Sequence, residues 1–199
     1  MVVCENYRVI FFHIPKTGGS SVRTILLNDL NGDKIGVHVN VRNALRKNYN
    51  LDAYIKFSVI RNPYSRMVSW YHHLLRESEI GKRSSDVIKP ESFEQFIKEQ
   101  TRIYSNKETT QFKLWSLQKD FISYGEKVMI DYIIRFENFQ NDFDLFSQKA
   151  FGKTFTLPHM KNWGVGNDYR KFYTDELQEI VYNKLKGDFE YFGYKKDFN

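Results

Sequence analysis

The stretch from Val9 to Leu30 constrains this chain more than any other. Val9-Ile10-Phe11-Phe12 is a continuous apolar run that reads as a buried strand, within a first strand expected over Tyr7 to His13. Pro15 breaks it, Gly18-Gly19 makes a turn, and Ser21 to Leu30 has helical spacing, with Val22, Ile25, Leu26 and Leu30 on one face. A strand, a glycine turn and a helix in that order cradle a phosphate-like anion. Glycines let backbone N–H groups approach the anion, and the helix N-terminus adds partial positive charge. Lys16 supplies a full charge, and Thr17, Ser20 and Ser21 supply hydroxyl donors. The Walker order G-x-x-x-x-G-K-[ST] is not met, because Lys16 precedes the glycines.

Further strands and helices alternate behind this unit. Lys34 to Val39 is a short strand candidate with Ile35, Val37 and Val39 on one side, and Val41 to Lys47 reads as a short helix. Tyr54 to Ile60 is a second clear strand. Asn62 then caps a helix with Pro63 at its first position, running to about Arg76. The polar stretch from Glu79 to Glu91 reads as a mobile loop. Ser92-Phe93-Glu94-Gln95 is a capping box, and Thr109 to Asp120 is expected to be helical. A third strand lies within Val128 to Phe136. Phe139 to Phe151 is a helix closed by Gly152, Leu157 to Tyr169 is irregular, and Thr174 caps a final helix to about Phe189. This alternation predicts an α/β fold of three layers around a central parallel sheet. Ligands of such sheets sit at the carboxyl ends of strands, so Lys16 and Arg61 are expected on one edge.

A length of 199 residues suits one domain, spanning 1–199, with a full core. Hydrophobic content of 41% and aromatic content of 17% exclude a disordered chain. The net charge of +6 comes from 30 basic and 24 acidic residues, and no compact basic run suggests nucleic-acid binding. Cys4 is the only cysteine, which excludes an intrachain disulfide and a cysteine-based metal site. No apolar leader stands at the N-terminus and no apolar run approaches the roughly 20 residues that span a bilayer, so a soluble cytoplasmic protein is expected.

Arg61-Asn62-Pro63-Tyr64-Ser65-Arg66-Met67-Val68-Ser69 is a second anion constellation. Arg61 stands between a strand and a capped helix, and Ser65 and Ser69 share a helix face. Taken alone, Arg61 could equally be a surface ion-pair partner and Ser69 a helix filler. Together with the Lys16 loop, Arg61 and Ser69 read as a site for a second phosphate.

The segment His13 to Ser21 resembles the 5′-phosphosulfate loop of sulfotransferases, and Val59 to Ser69 resembles their 3′-phosphate motif. The resemblance is to the carbohydrate sulfotransferases, including the uronyl and heparan 2-O-sulfotransferase type. Thr110-Gln111, Arg135-Phe136-Glu137-Asn138, Leu157-Pro158-His159, Tyr169-Arg170 and the segment Asp188 to Tyr194 also recur in that superfamily, so the likeness spans nearly the whole chain. It implies a fold related to P-loop kinases, no required metal, and transfer of a sulfuryl group from 3′-phosphoadenosine 5′-phosphosulfate (PAPS) to an alcohol or amine, with a hydroxyl favoured and 3′-phosphoadenosine 5′-phosphate (PAP) as product. Lys16 would stabilise the leaving phosphate oxygen. Lys16, Thr17, Gly18, Gly19, Ser20 and Ser21 would hold the 5′ end, and Arg61 and Ser69 the 3′-phosphate. His38, between the two motifs, matches the placement of a catalytic histidine in the 2-O-sulfotransferase type and is the favoured general base.

Other groups compete for that role. Glu77 and Glu108 are alternative bases. His13 is expected to be structural, His159 to be structural or near the nucleotide, and only one of His72 and His73 can face a given site. Where relatives carry Ser after Asn, this chain reads Asn162-Trp163-Gly164; Trp163 could stack on adenine or be a buried structural residue. Arg135 and Glu137 read as a structural pair or as substrate contacts. The acceptor is expected to be a saccharide. Lys82, Arg83, Lys89 and Arg102 either solvate a loop or meet an acidic glycan. A nucleotide or small-molecule kinase and a non-catalytic nucleotide- or glycan-binding protein are the alternative functions.

Overall fold

The computed structural model describes residues 1–79, 90–100, 114–158 and 168–198. Its strands are β1 (Val2–Cys4), β2 (Val9–Phe12), β3 (Asp33–Lys34), β4 (Ile55–Ile60), β5 (Ser123–Tyr124), β6 (Lys127–Val128) and β7 (Tyr132–Arg135). Its helices are α1 (Gly19–Asn28), α2 (Val41–Arg46), α3 (Pro63–Glu79), α4 (Phe93–Gln100), α5 (Gln118–Ile122), α6 (Phe139–Phe151) and α7 (Asp175–Phe192). The contacts divide into two compact units, Met1–Arg61 with Gln118–Lys161 and Asn62–Leu117 with Asn162–Asn199.

The first unit is built on a five-stranded sheet in the order β3-β1-β2-β4-β7. Three strands, β2, β4 and β7, are parallel; β1 is antiparallel to β2, and β3 to β1. The expected all-parallel sheet is therefore mixed. The reason is local. Only Glu5 to Arg8 join β1 to β2, and Arg8 turns left-handed at φ 53° with its N–H on the Glu5 carbonyl at 3.1 Å. A connection that short can only reverse the chain, whereas a parallel pair needs a crossover of a dozen residues or more. The reading of one strand over Tyr7 to His13 missed this turn. The second strand candidate, Lys34 to Val39, shrinks to β3, and Val37 is 60% exposed. His38 at φ 52° cannot continue an extended run.

The central strands are apolar because both faces are covered. Phe11, Phe57 and Phe146 stack in sequence, with ring centroids 4.9 and 4.1 Å apart. Val9, Phe11, Phe57, Val59 and Ile134 share one core with Val22, Ile25 and Leu26 of α1 and Phe143 and Phe146 of α6. The opposite-facing Ile10, Phe12 and Ile60 are buried as well. Register places Phe11 beside Phe57 and Ile60 beside Arg135, and the Ser58 hydroxyl ties β4 to the Phe12 carbonyl at 2.7 Å. The third predicted strand divides. Its start, β6, pairs with β5 around Gly125 at φ 60°, and its end, β7, joins the main sheet. Asp131, between them, accepts the Lys56 N–H at 2.7 Å and pairs with its ammonium at 2.8 Å, which pins β7 to the start of β4.

In the second unit α3, α4 and α7 enclose Tyr64, Met67, Val68, Phe96, Val181, Leu185 and Phe189. Asn62 caps α3 as expected, its Oδ1 accepting the N–H groups of Tyr64 and Ser65 at 2.9 and 3.3 Å. The Ser92 box also forms, although Gln95 reaches back to the N–H of Glu91 rather than of Ser92. Thr174 caps α7 through the Leu177 N–H at 3.3 Å, and the helix ends one residue before Gly193 at φ 68°, past the predicted Phe189. Fully buried Arg66 faces fully buried Asp188 at 3.9 Å and donates to the Ser116 carbonyl at 3.0 Å. Burial holds the Arg66 guanidinium down to about 10, with Asp188 acting against that shift. The helix expected over Thr109 to Asp120 is interrupted at 116–117, and its first residues, 109–113, lie outside the described ones, as does most of the predicted 79–91 loop.

Candidate functional site

Three parallel strands end on one edge of the first unit, and each delivers part of a site. Beyond β2 the chain turns through Lys16 at φ 68° and Gly18 at φ 85° before α1 begins at Gly19. Lys16 is a non-glycine residue in the left-handed region, a strained conformation that clusters at functional loops. The glycines are required by space. A Cβ on Gly18 would lie 2.8 Å from ring atoms of Phe136 and of Phe139. A Cβ on Gly19 would lie 2.7 Å from His13 Nε2 and 3.0 Å from Phe11 Cζ. The first N–H groups of α1 have no carbonyl one turn back to meet, so Gly19 and Ser20 present donors at the positive end of the helix.

The hydroxyls divide the work. Thr17 is fully buried and its Oγ1 donates to the Ile14 carbonyl at 3.0 Å. Ser21 Oγ donates to the Pro158 carbonyl at 2.6 Å, and the Ser21 N–H meets the Gly18 carbonyl at 3.0 Å. Both residues thus brace the loop, where the sequence suggested donors aimed at an anion. Ser20, half-buried at the second position of α1, stands where such a donor is needed.

Arg61 follows β4 directly. Its Nη1 donates to the Lys16 carbonyl at 3.4 Å, and its guanidinium lies over the Phe136 ring, 4.0 Å from the centroid. Phe136 follows β7 and is the same ring that packs against Gly18. It therefore links the glycine turn to the arginine. Sequence reading placed Phe136 in a motif but gave it no role. Gln118 gave no sign at all: fully buried, it accepts the Arg61 N–H at 2.9 Å and donates to the Arg61 carbonyl at 2.8 Å.

His38 joins the same unit. Its Nδ1 lies 2.9 Å from the His13 carbonyl, and its ring is tilted against the His13 ring with centroids 4.7 Å apart. A carbonyl can only accept, so Nδ1 carries the proton and Nε2 of the neutral ring carries the lone pair. Buried His13 stacks on Phe11 and is the wall behind Gly19, which agrees with the structural part read for it.

The sulfotransferase family model matches residues 1–195. The chain belongs to the sulfotransferase family. No curated protein matches it. Membership gives the reaction class as sulfuryl transfer and makes the chain a transferase enzyme.

The remaining candidates of this sulfotransferase are distributed as follows. Ser69 is buried on α3 in the second unit, as is Ser65. His72 and His73 take different neighbours: His72 meets Phe172 edge-on at 5.5 Å, and His73 tilts against Trp70 at 5.7 Å. Arg135, the last residue of β7, and Glu137, just beyond it, are exposed, with the Arg135 N–H on Asp142 at 2.9 Å. Thr110, Gln111, Glu108, His159 and Trp163 lie outside the described residues, as do Lys82, Arg83, Lys89, Arg102 and the side chain of Glu77. Among the described residues no group of three or more His, Cys, Asp or Glu is placed to hold a metal ion, and no helix is long and apolar enough to cross a membrane.

Proposed function

We propose that the chain moves a sulfuryl group from PAPS to a hydroxyl of a saccharide acceptor by in-line displacement. The observation that carries this reading is the placement of Arg61 against the Lys16 loop on one strand edge, over the ring that also walls Gly18. PAPS has two anionic ends, and this edge offers two cationic groups of different character. The donor set fits. Backbone N–H groups of Gly18, Gly19 and Ser20 suit a 5′-phosphate, and the rigid fork of Arg61 suits a 3′-phosphate. Ser69 is kept as a 3′-phosphate ligand on its sequence motif alone. Saccharide as the acceptor class rests on the likeness to carbohydrate sulfotransferases.

PAPS supplies an activated sulfuryl group whose bond to the 5′-phosphate oxygen breaks as the acceptor oxygen bonds to sulfur. The protein's part is positioning and charge stabilisation, as in phosphoryl transfer. Lys16 neutralises negative charge at the leaving oxygen. His38 Nε2 takes the acceptor's proton while Nδ1–H stays on the His13 carbonyl, which holds the ring's tautomer and direction.

Calorimetry with PAP, with adenosine 5′-phosphate and with ATP plus magnesium tests the donor assignment. PAP is expected to bind tightest, and Arg61→Ala to weaken PAP far more than adenosine 5′-phosphate. Tighter, magnesium-dependent ATP binding would overturn the reading in favour of a kinase. Labelled sulfate transfer screened over oligosaccharides, lipids and small alcohols tests the acceptor class, and label appearing only in lipids or small alcohols would exclude saccharides.

A further inference from the structure

We infer that Gln118 is a positioning residue that aims Arg61 at the donor's 3′-phosphate, an inference that rests on the assignment of Arg61 above. β4 ends at Ile60, and its ladder with β7 ends there too, at the pair Ile60 and Arg135. Arg61 is one step further on, past the last rung of that ladder, and among the described residues no strand is paired with it. The Gln118 carboxamide takes the place of that strand. Its Oε1 accepts the Arg61 N–H at 2.9 Å and its Nε2 donates to the Arg61 carbonyl at 2.8 Å. Both bonds made by a paired strand residue are thus supplied by one side chain, which adds one rung to the sheet.

The location gives that rung its importance. The chain leaves the first unit after Arg61 and returns to it at Gln118, so the two residues that bound the excursion are bonded to each other. Arg61 therefore stays in register with β4 although 56 residues of another unit, 62–117, follow it directly. Its guanidinium needs that register, because it must lie over Phe136 at 4.0 Å and reach the Lys16 carbonyl at 3.4 Å together. A shift of about 1 Å in a group that must meet both ends of a ligand is enough to lose much of its contribution. Gln118 is fully buried, so water cannot replace it. It also opens α5, whose Phe121 and Ile122 are buried, and this anchors the carboxamide in place.

The test compares PAP with adenosine 5′-phosphate by calorimetry in the parent chain and in Gln118→Met, which keeps length but neither bond. The expected result is a loss of about tenfold for PAP, the size of one or two hydrogen bonds, and a change within about twofold for adenosine 5′-phosphate. In an Arg61→Ala background the same substitution is expected to change PAP binding by less than about twofold, since the residue it aims is gone. Gln118→Asn, which keeps the carboxamide but is one methylene too short to reach both Arg61 groups, is expected to fall between the parent and Gln118→Met, and it stands in should the Met variant fail to fold. Equal losses for both ligands, an undiminished loss in the Arg61→Ala background, or no loss at all would make Gln118 a structural residue only. A parent chain that binds both nucleotides equally would instead refute the assignment of Arg61, and the inference with it.

Discussion

Gly19 shows how little room the anion loop leaves. A methyl group there would meet the rings of His13 and Phe11, both buried and themselves stacked, so neither can move aside cheaply. Gly19→Ala is expected to cost about 1–3 kcal/mol by overpacking, read as a melting temperature lower by roughly 2–4 °C for each kcal/mol. PAP affinity should fall with it, because the same shift disturbs the start of α1. A variant that melts with the parent would mean that the loop yields, and that the glycine is not needed for space. At His38 the argument concerns chemistry. His38→Ala removes the proposed base but no group assigned to the donor, so PAP binding should be unchanged while transfer falls about 10²–10⁴-fold. Unchanged turnover in single-turnover assays would exclude His38 from the mechanism and bring Glu77 and Glu108 forward. Lys16, Gly18 and Gly19 are legible in the sequence because a loop with such a pattern is local. Gln118 and Phe136 are not, because 57 and 75 positions respectively separate them from Arg61, and only the fold brings them to it.

At the scale of the element, α3 carries a histidine whose charge opposes folding. Burial, helped by the nearby Lys171, pushes the His72 imidazole below its ordinary value of 6.5. The unfolded chain therefore holds more protons than the folded chain just below pH 6.5, and stability falls as pH drops through that value. Thermal melts from pH 7.5 to 5.5 are expected to show a shallower decline in His72→Gln than in the parent; parallel declines would mean that His72 does not contribute. Helices of this chain are read well from sequence where a cap and an apolar face coincide. Asn62, Thr174 and Gly152 mark real ends of α3, α7 and α6 because each makes its cap or turn within a few residues. Strands are read less well, since their limits depend on partners. β1 was missed because its partner lies across a tight turn, and the run from Lys34 to Val39 follows β1 only as far as Met1, which bonds to the Ile35 N–H at 3.1 Å and the Gly36 carbonyl at 2.8 Å, before His38 turns left-handed.

Across the whole molecule, neither unit is a continuous length of chain. The sheet of the first unit takes β2 and β4 from before residue 62 and β7 from after residue 117. The core that sheet shares with α6 includes Phe143 and Phe146, and Phe146 stacks on Phe57 at 4.1 Å. The second unit likewise needs α7, whose Asp188 neutralises fully buried Arg66 on α3. A fragment ending at residue 117 would keep Phe11, Phe57 and Arg66 but lose what covers the first two and pairs the third. Leaving a buried guanidinium without its carboxylate costs about 3–5 kcal/mol, and uncovering each phenylalanine costs about 3 kcal/mol more. Those losses together, about 9–11 kcal/mol, fall within the 5–15 kcal/mol by which ordinary domains are stable and so remove most or all of it. The fragment 1–117 is therefore expected to show no cooperative thermal transition by circular dichroism, and adding the fragment 118–199 should restore one. A cooperative transition in the first fragment alone would mean that β2, β4 and α1 form a core without α6, and that the interleaving of the two units is not needed for folding.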